Sequence, residues 1–280
     1  MPSSNYAYVN GRFVPEVEAT VSIFDRGFLY GDGVFETMRV YERKVFRVRE
    51  HLDRLLAGLK YLEIECPLAL EELRTVLGVL AERNHVANGF ARLYVTAGVS
   101  SQGPMTHSEH GVSLVALCES RQFDSPKLRV TISSKRLDPS LSCYKTANRL
   151  PYMLARREAE KVGADEAVLL NAAGRAVELS TSNLFVVKAG ELFTPALSEG
   201  PLPGVTRDVV MLLASEMMLP VHEVMMDLPM LDTAEEVFAT NTLMEIVSVV
   251  QFKDRKLEEG RLTRLLQQAY REFVRQELSI

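Results

Sequence analysis

Three cysteines in 280 residues, no basic excess and no long apolar run exclude several kinds of protein at once. Cys66, Cys118 and Cys143 form an odd, scattered set, which argues for reduced thiols in a cytosolic protein rather than a disulfide framework. No stretch approaches the ~20 apolar residues that a membrane-spanning helix needs. The start, Met1-Pro2-Ser3-Ser4-Asn5, has neither a basic beginning nor an apolar core, so no signal peptide is expected. A formal net charge of −5 with mixed signs argues against nucleic acid as the main partner. Neither an internal repeat nor a low-complexity tract interrupts the chain. What is present, 47% hydrophobic against 25% charged residues, suits a soluble globular protein of one large domain or two modest ones.

Short strands are expected first. Tyr6–Val9 and Arg12–Val14 flank Asn10-Gly11, the pair that a two-residue hairpin turn favours. Gly27, Gly31 and Gly33 then cluster ahead of a strand over Val34–Val40. Their spacing is neither the dinucleotide nor the Walker pattern, and a strand stands where those loops require a helix, so a nucleotide site is rejected. A helix follows from Arg49 with apolar Leu52, Leu55, Leu56, Leu59 and Leu62, and a second spans 69–83. Strands at 90–98 and 112–117 enclose a polar loop at 99–110. Polar residues and a proline between Glu119 and Pro126 separate two strand runs. The expected division is therefore a domain of residues 1–120, a linker at 121–127, and a second domain of 128–280. That second half reads as a strand from Lys127, a helix over 149–162 stopped by Gly163, hairpin strands over 166–194 and a helix over 206–217. Strands at 221–225 and from Glu236 follow, and a last helix runs from Arg261 to Leu278.

The chemistry concentrates between Tyr144 and Arg207. Lys145 stands just ahead of a helical pattern, Glu178 lies between Val177 and Leu179 in strand-like sequence, and Pro203-Gly204 opens a helix at Val205-Thr206. Taken singly, Lys145 reads as a solvated surface residue, Glu178 as the wet face of a hairpin strand, and Pro-Gly as ordinary turn chemistry. Together they supply what pyridoxal 5′-phosphate (PLP) needs. The amine forms a Schiff base, the carboxylate pairs with the pyridinium nitrogen, and the helix start takes the phosphate. Arg54 alone reads as a helix-surface arginine, and His51 as structural. Cys143, two residues before Lys145, reads as a small buried hydrophobe.

The run Glu178, Asn183-Leu184-Phe185, Thr194-Pro195 and Pro203-Gly204-Val205-Thr206-Arg207 resembles the class IV, fold-type IV PLP-dependent enzymes. The resemblance extends over nearly the whole chain, from Asp25-Arg26-Gly27 to Thr240-Asn241-Thr242. The family comprises branched-chain aminotransferases, D-amino acid aminotransferases and aminodeoxychorismate lyases. It implies an α/β (α+β) fold with a small N-terminal α/β domain, a larger C-terminal pseudo-barrel domain, and PLP in the cleft between them. It also implies a homodimer in which the Tyr30 loop reaches towards the neighbouring subunit. By the same resemblance Lys145 is the catalytic lysine and Glu178 the partner of the ring nitrogen. Arg54, Thr206, Thr242 and the amides at Val205 and Thr206 hold the phosphate, while Tyr30, Phe35, Arg92 and Leu243 border the substrate.

Within the family the motifs divide. Tyr30 and Arg92 match branched-chain aminotransferases, but Phe90 and Leu150 stand where those enzymes have tyrosines. Ala97-Gly98-Val99 replaces the arginine-bearing segment of D-amino acid enzymes, and Phe35 replaces their carboxylate-binding tyrosine. Lys145-Thr146-Ala147-Asn148-Arg149-Leu150 and Asn241-Thr242-Leu243-Met244 are most similar to the lyases. The expected function is amino transfer between a small amino acid, of branched-chain or D-amino acid type, and a 2-oxo acid. The alternatives are a lyase releasing pyruvate and 4-aminobenzoate from aminodeoxychorismate, and a PLP-binding protein without turnover. No metal is expected.

Overall fold

The computed structural model describes residues 5–101, 103 and 111–280, which fall into two compact units. One holds the residues up to Phe123 together with Tyr144–Asn148, and the other holds Asp124–Cys143 and Arg149–Ser279. Met1–Ser4 and most of the polar loop expected over 99–110 lie outside the described residues.

The first unit contains β1 (Tyr6–Val9), β2 (Arg12–Pro15), α1 (Arg26–Tyr30), β3 (Gly33–Tyr41), β4 (Lys44–Val45), α2 (Val48–Tyr61), α3 (Leu70–Arg83), β5 (Gly89–Thr96) and β6 (Ser113–Ser120). Its antiparallel sheet has the order β2-β1-β6-β5-β3-β4. Asn10 and Gly11 take φ of 46° and 91°, the positive values that a tight hairpin turn requires. Side chains alternate along β3 with the pleat. Val34, Met38 and Val40 join a core built with Leu52, Leu55 and Leu59 of α2 and Leu73, Leu77 and Leu80 of α3. Phe35, Thr37 and Arg39 face the other way. Glu36 falls on the inward register and is 0% exposed.

The second unit contains β7 (Leu128–Leu137), α4 (Pro139–Ser142), α5 (Leu150–Lys161), β8 (Glu166–Asn171), β9 (Ala176–Leu179), β10 (Asn183–Lys188) and β11 (Glu191–Pro195). There follow α6 (Val205–Glu216), β12 (Val221–Val224), α7 (Leu228–Asp232), β13 (Glu236–Asn241), β14 (Glu245–Phe252), β15 (Arg255–Lys256) and α8 (Arg261–Leu278). The mixed sheet runs β12-β11-β10-β13-β14-β7-β8-β9, with β15 on β14, and curls until β9 returns beside β10. The inner side chains of the curl form one core and α5 packs on the other face of β8, so β8, β9 and most of β10 are buried along their whole lengths. Glu178 is accordingly 4% exposed, not on a wet face. Among the described residues no helix is long and apolar enough to cross a membrane.

The last helix is fastened by a carboxylate from another element. Glu236, at the start of β13, accepts the N–H groups of Leu262 and Thr263 at 3.0 and 2.8 Å and the Thr263 hydroxyl at 2.7 Å. It thereby serves donors that the first turn of α8 cannot satisfy itself. Glu236→Ala should lower the stability of the folded chain by about 1–3 kcal/mol, read as a lower urea midpoint with an unchanged slope. An unmoved midpoint would refute the capping role.

Candidate active site

Lys145 is held by backbone pairing. The Phe35 N–H donates to the Lys145 carbonyl at 3.0 Å and the Ala147 N–H to the Gly33 carbonyl at 2.8 Å, while Val34 bridges Thr146. Residues 144–148 thus lie along the edge of β3 opposite β5, and this pairing groups them with the first unit although they come after residue 128. Strand alternation buries Thr146 and turns Lys145 to the face of Phe35, whose ring centroid lies 4.9 Å from the lysine Nζ. Tyr144 stacks on Tyr61 at 4.1 Å. The Phe35 ring stacks on Tyr94 at 5.3 Å, so Lys145 stands over an aromatic surface. Arg92 is paired in register with Thr37 on the same face and donates from Nε to its hydroxyl at 3.1 Å. Tyr30 ends α1 and is 43% exposed.

Arg54 belongs to a buried ionic cluster. Its Nε and Nη2 donate to the two oxygens of Glu36 at 2.7 and 2.8 Å, a bidentate pairing that fixes the guanidinium plane. The His51 Nδ1–H donates to the same carboxylate at 2.8 Å. Burial alone would raise the Glu36 pKa, but Arg54 and His51 outweigh it and hold the carboxyl well below the usual range. His51 is pushed down, first by burial and then, against the pull of Glu36, by repulsion from Arg54 and Lys145.

In the second unit Glu178 pairs in register with Leu169, on the side of β8 that packs against Tyr152 and α5, and its Oε2 accepts the Leu202 N–H at 3.1 Å. Tyr152 of α5 lies close by. Burial and the Glu178 charge push its phenol up, against Arg149, so Tyr152 stays protonated beside the carboxylate. Leu202 leads through Pro203 to Gly204, the N-cap of α6, which has no side-chain cap. Val205 and Thr206 occupy the first helical positions, where backbone N–H groups and the helix dipole favour an anion. Thr242 and Leu243 lie in the β13–β14 turn, whose shape is set by Asn241. Its Oδ1 accepts the N–H groups of Leu243 and Met244 at 2.9 and 2.8 Å.

The first unit therefore brings Lys145 to Phe35 and joins Arg54 to Glu36 and His51. The second joins Glu178 to the start of α6. Sequence reasoning overlooked Glu36, Tyr152 and the tethering side chains of Asn183 and Asn241. A glutamate on the inward register of β3 was the legible signal for the first. The Cys143 thiol is half-buried and raised by burial, which makes it a poor nucleophile. Among the described residues no cluster of His, Cys, Asp and Glu could hold a metal.

Residues 33–252 match the family described as amino-transferase class IV. This chain belongs to the class IV aminotransferases. It is 38% identical over 274 residues to the "Putative branched-chain-amino-acid aminotransferase" of Methanocaldococcus jannaschii, covering 95% of each chain. It is 34% identical over 277 residues to the D-alanine aminotransferase of Listeria monocytogenes, covering 95% of this chain and 94% of that one. The fold is similar, at a TM-score of 0.91 and 29% identity, to the T.th. branched-chain amino acid aminotransferase with pyridoxamine 5′-phosphate, covering 98% and 95%. The chain is a PLP-dependent transaminase of fold type IV. Its residues suit that cofactor: a lysine amine, a buried carboxylate for a ring nitrogen, and a helix start with no side-chain cap for a phosphate.

Glu36 and His51 both have pKa values lowered by folding, so in acid the unfolded chain takes up protons first. The His51 contribution is present above the ordinary 6.5 and is lost as pH falls below it. The Glu36 contribution is present above 4.5 and is lost as pH falls towards its depressed value. The apoprotein Tm should therefore begin to drop below about pH 6.5 and drop further below about pH 4.5, and His51→Gln should remove the upper part of that drop. An identical acid profile in the variant would exclude His51 as its source.

Proposed function

We propose that this transaminase exchanges amino groups between a small apolar amino acid, of the branched-chain type, and a 2-oxo acid. The observation that carries the reading is the stacked Phe35–Tyr94 surface beneath Lys145, which offers an apolar wall to a substrate side chain at the reacting amine. Arg92, fixed on the same face by Thr37, would take a carboxylate, and Tyr30 and Leu243 would border the substrate.

PLP supplies an electron sink that makes the substrate α-hydrogen acidic. Lys145 would hold the cofactor through its Nζ amine and would carry the substrate α-proton on the same atom. Glu178, shielded from water, would keep a proton on the ring nitrogen by its negative charge. The Val205 and Thr206 amides, the Thr206 and Thr242 hydroxyls and Arg54 would bind the phosphate, and Glu36 holds the arginine plane. The experiment is a half-reaction with purified holoenzyme and L-leucine, L-glutamate, D-alanine or D-glutamate, followed by the change in cofactor absorbance. Conversion by L-leucine and L-glutamate is expected, and Lys145→Ala should abolish both the covalent absorbance band and amino transfer. Retained transfer in that variant would end the lysine assignment. Conversion by the D-enantiomers alone would overturn the branched-chain reading. Pyruvate release from aminodeoxychorismate with no amino acid converted would favour the lyase.

The same reading includes a homodimer in the cytoplasm, where the free thiols would stay reduced. Val21, Ile23, Phe24, Phe28, Leu29 and Tyr30 are each more than 40% exposed within one short stretch, the kind of apolar patch that a second copy covers. Sedimentation should give a dimer that Phe28→Glu dissociates. A fully active monomer would exclude it.

A further inference from the structure

The corner between β9 and β10 touches both ends of the proposed cofactor site. Glu178 lies one residue before the end of β9 and Asn183 opens β10, and Asn183 is 6% exposed. Both side chains converge on the backbone of Leu202. Its N–H donates to Glu178 Oε2 at 3.1 Å, and its carbonyl accepts from Asn183 Nδ2 at 2.8 Å. Asn183 Nδ2 also lies 3.5 Å from Glu178 Oε2, the outer limit of a hydrogen bond, so the coupling runs mainly through Leu202. Two residues further on, Gly204 caps α6. A Cβ there would sit 1.9 Å from Asn183 Oδ1, so the amide lies in space that only glycine leaves open. The second phosphate turn is tied to the same corner: Asn241 Nδ2 donates to the Ser182 hydroxyl at 2.9 Å and to the Thr181 carbonyl at 3.3 Å.

We propose that Asn183 is a positioning residue that locks the Glu178 carboxylate and the N-terminus of α6 into one rigid body. The proposal rests on the cofactor roles given above to Glu178 and α6. PLP is rigid between its ring nitrogen and the carbon bearing its phosphate arm, so the two protein groups must keep a set separation to serve both ends together. A carbonyl and an N–H on one residue, clamped by two side chains from one strand corner, fix that separation. With Asn183 gone, the Leu202 carbonyl loses its donor and the turn into α6 is free to shift relative to Glu178.

Two half-ligands separate this coupling from a merely structural role. Pyridoxal carries the ring without the phosphate, and inorganic phosphate carries the anion without the ring. Their affinities for the full-length apoprotein would be measured by absorbance and calorimetry. Glu178→Gln should weaken pyridoxal alone, and Thr206→Ala should weaken phosphate alone. Asn183→Ala should weaken both, each about tenfold. Gly204→Ala keeps Asn183 but pushes its amide away, and should weaken pyridoxal although the substitution lies at the phosphate helix. Should Asn183→Ala fail to fold, by circular dichroism, the pyridoxal affinity of Gly204→Ala decides. Pyridoxal binding within twofold of wild type in the Asn183 and Gly204 variants would overturn the coupling. If instead Glu178→Gln spares pyridoxal and Thr206→Ala spares phosphate, the cofactor roles themselves are wrong and the coupling falls with them.

Discussion

A carboxylate removed from water must be met by donors, and this chain uses that constraint to fasten segments remote in sequence. Glu36 on β3 gathers Arg54 and His51 of α2. Glu166 on β8 accepts the Ser180 N–H at 3.1 Å, the Ser180 hydroxyl, the Thr181 hydroxyl at 2.6 Å and Arg156 at 2.9 Å. It thereby pins the loop that leaves Glu178. Glu199 binds Asn171 at 2.6 Å and Arg175 at 2.5 Å, and Glu236 caps α8. Desolvation offsets much of the Coulomb attraction in such sites, so their main contribution is geometric. Each acid allows one arrangement of its donors and disfavours the neighbouring ones.

Local pattern made the regular elements legible where one face of an element meets water. The Leu52, Leu55 and Leu59 stripe of α2, the Asn10-Gly11 turn and the helix ending at Arg83 all follow from spacing. Glu178 shows where this reading stops. Alternation would put Val177 and Leu179 on one face, but a register shift after Ala176 sends them to different cores, and α5 covers the side on which Glu178 lies. The helix α1 escaped for a different reason. At five residues, punctuated by Gly27 and Gly31, it carries no periodic signal, and it depends on Asp25, whose side chain accepts the Gly27 N–H at 2.8 Å and the Thr96 hydroxyl at 3.0 Å.

The candidate site was legible in proportion to how far its residues keep a fixed order along the chain. Lys145, Glu178 and the start of α6 follow one another in a segment whose resemblance is specific. Their supports do not. Tyr152 reads as one aromatic in a helix, and nothing in the sequence places it beside Glu178. Lys145 itself belongs to the first unit through three residues of strand pairing with β3, a contact spanning more than a hundred positions. Sequence proximity to the second half suggested the other membership, because chain order carries no record of a strand crossing back.

Substrate choice was least legible, and the structure supplies a physical reason. The segment after β5, where a D-amino acid enzyme carries its arginine, is committed here to holding the loop around α1. The Ala97 N–H donates to the Asp32 carbonyl at 3.0 Å, and the Gly98 carbonyl accepts the Arg26 N–H at 2.8 Å, with Gly98 at a φ of 79°. An arginine at Gly98 would need a backbone conformation that side chains disfavour. Among the cations on this face, which include Lys145 and Arg39, Arg92 is the one braced by Thr37 beside the Phe35–Tyr94 stack. On the reading proposed above, specificity would depend on which substrate group meets the aromatic wall and which meets the Arg92 guanidinium. That is a property of the sheet face as a whole, and no single residue along the chain declares it.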